Sequence, residues 1–335
     1  MITVYSPLRI SFAGGGTDIS PFYERYGGAV LNTTIDRGIM IRYVDDGGSL
    51  EVSSRDFLRT ALISTNNRTM ENKIIDMFIE NGINTGRVIM NSDVPPGSGL
   101  GSSSALINGI LKMINVIKKR DVDPYELAKE SYLTEKDKFN IILGKQDPYA
   151  ISIGGLKYME FRENVDTTQK FDLSDPFIKD LQSSILLVYT GNTRESSRSL
   201  QDQVTKSEHG DEQTMENLNK IKNLALEMSK AISAHNRDEI CNIVNEGWNI
   251  KKSLGSNVTN QRIDEIISYA KENGAKSAKL LGGGSEGFIL LIGEKGGIDS
   301  LQRKMMVKSD FVIRVRFDNC GTRVINNYIE AEKKE

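Results

Sequence analysis

Histidine, cysteine and tryptophan are nearly missing from this chain of 335 residues: two, two and one. His209 and His235 lie in polar stretches with helical spacing, the setting of solvated surface imidazoles, so histidine-centred chemistry has little to draw on. Cys241 and Cys320 fit no metal-ligand spacing and no disulfide framework. No apolar run is long enough to span a bilayer. The opening Met1-Ile2-Thr3-Val4-Tyr5-Ser6 also lacks the charged-then-apolar layout of a signal peptide, so a cytoplasmic protein with no membrane contact is expected. An excess of one charge is missing too. Against 45 Asp and Glu stand 43 Lys and Arg, a net −2, which offers no general basic field to nucleic acid or acidic lipid. Proline is sparse at 7 while glycine reaches 30, and it is in three glycine-rich runs that the chemical signal is concentrated.

The middle run is the most informative. After Pro95 come Pro96, Gly97, Ser98, Gly99, Leu100, Gly101, Ser102, Ser103 and Ser104. The prolines keep the preceding chain extended, and the glycines admit positive φ angles that let backbone amides approach an anion. Leu106, Ile110, Met113, Ile114 and Ile117 then recur at helical spacing. A glycine loop that feeds a helix N-terminus gathers free N–H donors and the positive end of the helix dipole, which is a phosphate site. The serine hydroxyls are suited to cap that helix or to bind a metal ion. No Walker A pattern occurs anywhere, so this phosphate loop is of another type. A serine-hydrolase elbow fails on its second glycine and on the lack of a suitably placed histidine.

Strand-like and helix-like segments mix along the whole length. Thr3–Tyr5, Ala29–Leu31, Gly38–Val44, Arg87–Met90, Leu156–Phe161, Ile185–Tyr189, Phe288–Ile292 and Val312–Val315 read as strands. Helices are expected at Glu71–Glu80, after the central loop, and from Asp123-Pro124 with Glu135 near its far end. A long helical block follows from Glu212 to Asn273, with Leu218, Ile221, Leu224, Met228 and Ile232 as its core stripe. This order gives an α+β protein with two lobes, and the polar segment Arg162–Leu173 is the expected boundary.

The first run, Gly14-Gly15-Gly16-Thr17-Asp18, lets backbone pass close to a ligand, with Asp18 able to accept hydrogen bonds from sugar-like hydroxyls. A turn capped by Asp18 ahead of a helix reads equally well. In Gly144-Lys145-Gln146-Asp147-Pro148 the carboxylate sits in a turn, either as a helix start or as a general base for a hydroxyl. The last run holds a formal G-x-G-x-x-G at Gly282, Gly284 and Gly287. The strand after it, in place of a helix, removes the dinucleotide reading and leaves a loop that supports a ligand or another loop.

Taken together, the three runs resemble the GHMP kinases, and the resemblance covers most of the chain. Its central motif Pro-x-x-x-Gly-Leu-Gly-Ser-Ser is highly specific. The wording of Arg9–Asp18, Gly27–Val30 with Thr33–Asp36, Gly144–Asp147 with Tyr149, and Tyr189–Gly191 with Arg194 is similar to the branch that phosphorylates heptose 7-phosphate. The resemblance implies a ribosomal-protein S5 domain 2-like N-terminal lobe (residues 1–165, ATP-binding) and a ferredoxin-like C-terminal lobe (residues 166–335). It also implies ATP and Mg²⁺, a small phosphorylated metabolite as acceptor, and a homodimer as assembly. Carried over, Pro96 to Ser104 hold the ATP phosphates, and Ser103, counted from Gly101, binds Mg²⁺ with Glu135. Asp147 is the base and Arg9 steadies it. Asp18, Gly15, Gly16, Thr17, Arg194, Gly283 and Gly284 border the acceptor. Arg194, Arg198, Lys251 and Lys252 are the candidate partners of the phosphate already on it. One departure stands out: the branch has Gly-Ala-Gly-Gly-Gly-Gly-Phe where this chain has Gly282-Gly283-Gly284-Ser285-Glu286-Gly287-Phe288. Mevalonate-pathway kinases, including one acting on mevalonate 3-phosphate, share the architecture and form the alternative. A non-catalytic metabolite sensor has no need of a base such as Asp147.

Overall fold

The structure, a computed structural model, describes residues 1–54, 70–163, 166–191, 197–255 and 258–325. Its strands are β1 Ile2–Ala13, β2 Gly28–Ser49, β3 Glu51–Ser54, β4 Thr85–Ser92, β5 Lys157–Phe161, β6 Asp166–Lys170, β7 Ile185–Tyr189, β8 Ala275–Leu280, β9 Phe288–Gly293, β10 Val312–Ile313, β11 Phe317–Asp318 and β12 Arg323–Val324. Its helices are α1 Phe22–Tyr26, α2 Met70–Glu80, α3 Ser102–Ile117, α4 Pro124–Leu133, α5 Gln146–Ile153, α6 Pro176–Ser183, α7 Ser197–Glu208, α8 Glu212–Ser233, α9 Arg237–Lys252, α10 Gln261–Glu272 and α11 Ile298–Met305.

The long strand β2 organises the first, eight-stranded sheet. It pairs antiparallel with β1, β4, β5 and β11, while β12 extends the sheet beyond β1 and β3 runs parallel to β4. In β1 every residue from Ser6 to Ala13 is buried, because helices α3 and α8 both pack on this strand. Leu8, Ile10 and Phe12 enter the main core. The period of two then turns Arg9 and Ser11 the other way, toward the site. The second sheet is antiparallel, in the order β10-β7-β9-β8. Leu186, Val188, Ile289 and Leu291 from this sheet pack against Ile263, Ile266 and Ala270 of α10. The stripe Leu218, Ile221, Leu224, Met228 and Ile232 of α8 is buried as its spacing requires.

Three local expectations are corrected. The polar segment Arg162–Leu173 contains β6, which pairs antiparallel with β5 in the first sheet. As an edge strand with mostly exposed side chains, it carries no hydrophobic signature. Strands β11 and β12 also return to this sheet from near the C-terminus, so the first sheet draws on chain from beyond residue 165. Glu135 lies past the end of α4, in a single π-helical turn, Thr134–Lys138. The last strand is shorter than read, Val312–Ile313.

Helix α4 begins as its sequence dictates. Asp123 accepts from the N–H groups of Tyr125 and Glu126, Glu126 reaches back to the Asp123 N–H, and Pro124 fills the first turn. This capping box satisfies otherwise orphaned donors. Replacing Asp123 by Ala is expected to lower unfolding stability by about 1 kcal/mol, read from denaturant melting, with turnover unchanged. A fall in turnover at full occupancy of the folded state would contradict the purely local role.

Candidate active site

The central glycine run ends in helix α3, whose N-cap is Gly101 in the left-handed conformation (φ 76°, ψ 28°) with no side-chain cap. Glycine suits this left-handed position, and a Cβ there would press on the side chains of Ile151, Arg9 and Asp147 at 3.1–3.3 Å. The uncapped first turn leaves backbone donors and the positive end of a 16-residue helix free to meet an anion. Leu100 is fully buried and anchors the loop in the core, while Ser98 is buried with its hydroxyl on the Leu100 N–H.

The last glycine run holds this loop in place. The Phe288 N–H donates to Ser98 O at 2.9 Å. A Cβ on Gly99 would lie 2.4 Å from Leu281 O, and one on Gly287 would lie 2.6 Å from Ser98 O. The two loops therefore pack backbone on backbone, between β8 and β9 on one side and the start of α3 on the other. Gly283 and Gly284 lie at the turn of the second loop. Ser285 takes a left-handed φ of 60°, and Glu286 is buried. That carboxylate, where the heptose-kinase wording has glycine, lies within electrostatic reach of Tyr189, whose phenol is raised first by burial and then by this charge.

Arg9 ties the loop to the carboxylate that faces it. Its Nε and Nη2 donate to the two oxygens of Asp147 at 2.6 and 2.7 Å, and its Nη1 donates to Gly99 O at 2.6 Å. The Arg9 N–H also donates to Leu100 O. Arg9 is 5% exposed, whereas the Asp147 side chain keeps 25%. The carboxylate is thus fixed by a two-pronged charge-assisted contact and still reachable from solvent. Asp147 is the second residue of α5, as the helix-start reading requires, and Arg9 holds it against the glycine loop.

Asp18 serves that same helix. Its backbone O accepts from the Lys145 N–H, its Oδ2 from the Gln146 N–H at 2.9 Å, and its Oδ1 from the Gly16 N–H at 3.0 Å. A residue far away in sequence thereby caps α5; the helix near it, α1, has no side-chain cap. Burial raises the Asp18 carboxyl above its ordinary range, the two amides oppose this, and the Asp147 charge adds to the rise. Thr17, expected to border the acceptor, has its hydroxyl taken up inside the loop: it donates toward Gly14 O and Ala29 O and accepts from the Ala29 N–H. Gly16 O accepts from Gln203 of α7, which closes over the loop. Arg194 lies outside the described residues, as does the side chain of Arg198, and Lys252 is exposed over the Trp248 ring.

Of the three serines, Ser103 is the exposed one, and its hydroxyl donates to Glu135 Oε2 at 3.1 Å. Glu135 is 1% exposed and its Oε1 has no hydrogen-bond partner among the described residues. Burial lifts its carboxyl to about 8; nearby hydroxyls of Ser104, Ser103 and Ser131 pull down, and the Asp147 charge pushes up. An orphaned carboxylate oxygen beside a serine hydroxyl is a hard-oxygen pair that fits Mg²⁺. Sequence reading missed Ser11 and Gln146. Ser11 Oγ and Gln146 Oε1 are buried without hydrogen-bond partners among the described residues, and a Cβ on Gly15 would lie 3.3 Å from Ser11 Oγ and 3.7 Å from Gln146 Nε2. Only the strand alternation that puts Ser11 on the Arg9 face could have pointed to one of them.

Comparison with known proteins agrees with this layout. The profile of the GHMP kinases N terminal domain matches residues 68–155, and that of the GHMP kinases C terminal matches residues 228–308. The D-glycero-alpha-D-manno-heptose 7-phosphate kinase of Campylobacter jejuni is 30% identical over 321 residues, 92% of each chain. The chain belongs to the GHMP kinases. This GHMP kinase is a phosphotransferase that acts on a hydroxyl, and the family's phosphate donor is ATP. Its two-lobed α+β fold is that of a D-glycero-D-manno-heptose 1-phosphate kinase from Bacteriodes thetaiotaomicron, with a TM-score of 0.77, 23% identity and 98% and 100% of the two chains covered. A mevalonate kinase of Saccharolobus solfataricus is 29% identical over only 62% of this chain, which sets the mevalonate alternative at a distance.

A Cβ on Gly144 would lie 1.8 Å from Asp18 Oδ2, so Gly144→Ala must displace the cap of α5. Turnover is expected to fall by roughly 10²-fold, the scale of a misplacement of about 1 Å, while nucleotide affinity stays close to wild type. Unchanged turnover would show that Asp18 does not hold the catalytic geometry.

Proposed function

We propose that this kinase transfers the γ-phosphate of ATP to a hydroxyl of a heptose phosphate, a small sugar that already carries a phosphate. The observation that carries the reading is the Arg9 guanidinium, which grips Asp147 and the phosphate loop at once. The kind of sugar follows the Campylobacter relative, whose likeness runs over almost the full length of both chains. Within this reading the lobe drawn mainly from residues 1–165 binds ATP, residues 166–335 supply most of the second lobe, and the setting is cytoplasmic.

Phosphoryl transfer asks the protein chiefly for position and charge stabilisation. The loop from Pro96 to Ser104 and the first turn of α3 hold the phosphate tail through backbone N–H groups. Ser103 and Glu135 hold Mg²⁺, which when bound draws charge from the phosphate oxygens. Asp147 takes the proton of the acceptor hydroxyl. Arg9 keeps that carboxylate aimed, and its remaining N–H prong fixes the distance to Gly99. Gly15, Gly16, Asp18 and the turn at Gly283–Gly284 border the acceptor, with Ser11 and Gln146 adding free polar atoms beside Gly15.

Asp147→Asn is expected to lower kcat by roughly 10²–10⁴-fold, the usual contribution of a general base, with ATP affinity within a few-fold. Turnover is followed as ADP release with heptose 7-phosphate, and nucleotide binding by titration of the same preparation after its melting curve has been checked. Equal loss of binding and turnover would assign Asp147 a structural role, and absence of ADP release from the wild type with every sugar phosphate would remove the acceptor.

A further inference from the structure

Two lysines meet at this site with no carboxylate to answer them. Lys279 is on β8, three residues before Gly282, and is 7% exposed. Its Nζ donates to Phe12 O at 3.1 Å, at the end of β1 that leads into the Gly14–Asp18 loop. Lys251, in the last turn of α9, donates to Gly282 O. Neither forms an ion pair within 4.0 Å among the described residues.

The charges around them leave a positive surplus. Lys251 feels Arg9, Asp18 and Asp147, and Lys279 feels Lys251 and Arg9. Asp147 is already matched by the two prongs of Arg9, and Asp18 by two backbone amides. With both lysines protonated, three cations thus face two carboxylates that have partners of their own. Burial, with the neighbouring cations, pushes Lys251 down to about 8 and Lys279 to about 7. An ammonium that is buried, as in Lys279, or half-buried, as in Lys251, and held only by a carbonyl oxygen is an incomplete arrangement, since much of its desolvation is left uncompensated. The missing partner is an anion.

We propose that Lys251 and Lys279 form the subsite for the phosphate that the acceptor already carries. This deepens the sugar-phosphate reading above and rests on it. A phosphate monoester supplies close to two negative charges, enough to offset the surplus, and several acceptor oxygens for two ammonium groups. Position favours the acceptor over ATP. The nucleotide has the amide cradle of α3 and the Ser103–Glu135 pair, whereas Lys279 is anchored on the strand that enters the acceptor loop. The glycine loop at 282–287 then acts twice, bracing Gly99 and offering Gly282 O to set the Lys251 ammonium.

Steady-state kinetics of the wild type, Lys251→Met, Lys251→Arg and Lys279→Arg separate the possibilities, with ATP and either heptose 7-phosphate or the same heptose without its phosphate. Lys251→Met is expected to raise KM for the phosphorylated sugar by about 10–100-fold, the scale of a lost hydrogen bond to a charged group. KM for ATP, and the rate with the unphosphorylated sugar, should stay within about twofold in the same scale of effects. Lys251→Arg, which keeps the charge, should recover most of the loss, and Lys279→Arg should stay within a few-fold of the wild type, about the scale of a retained charged contact. A rise in KM for ATP instead would hand the lysines to the γ-phosphate and overturn the proposal, as would equal losses with both sugars. If the wild type turns over no sugar phosphate at all, the acceptor reading falls by itself. Calorimetric titration with inorganic phosphate then decides the subsite: binding to the wild type that Lys251→Met abolishes supports it, and binding to neither, or to both alike, refutes it.

Discussion

One guanidinium holds this site together. Arg9 makes two contacts to Asp147 and one to the carbonyl of Gly99, and all three are short. Because it is almost wholly buried, removing either charged partner would leave the other unanswered, at a cost of about 3–5 kcal/mol. The same contact that stabilises the folded chain therefore fixes how far the acid stands from the phosphate loop. Stability and the geometry of the site rest on the same atoms.

The rest of the structure serves that contact. Strand β1 presents Arg9 because its alternate residues are locked into the core on the other face. Asp18 caps α5 from far away in sequence and so sets where Asp147 starts. The two glycine loops, nearly 190 residues apart, touch through backbone atoms because no side chain intervenes at Gly99, Gly282 or Gly287. The central glycine loop is consequently packed against the last one although its composition is that of a flexible linker. The unpartnered oxygen of Glu135 and the lysine pair fit the same pattern: groups left incomplete inside a site whose ligands are charged.

Much of this was legible in advance. The phosphate loop, the helix after it, the strand that excludes a dinucleotide fold and the core stripe of α8 all rest on local chemistry, where spacing and residue type act over a few positions. Asp147 was singled out against a strong helix-start reading, and it does lie in the first turn of α5, held there by Arg9. Strand β6 was not legible, since an edge strand keeps its polar side chains outward and looks like a loop. Thr17 was assigned to the ligand when its hydroxyl is consumed inside its own loop, and Ser11 and Gln146 gave no signal of their own.

By itself the sequence determined most of the elements, the glycine loop that opens α3 and the family, because turns, caps and periodicity are settled between near neighbours. Only the tertiary structure decided which charges answer one another: Arg9 with Asp147, Asp18 with the amides of α5, and Lys251 and Lys279 with no carboxylate. Pairing of charges depends on distance through space and on exclusion of water, and neither quantity is written in the order of residues along the chain.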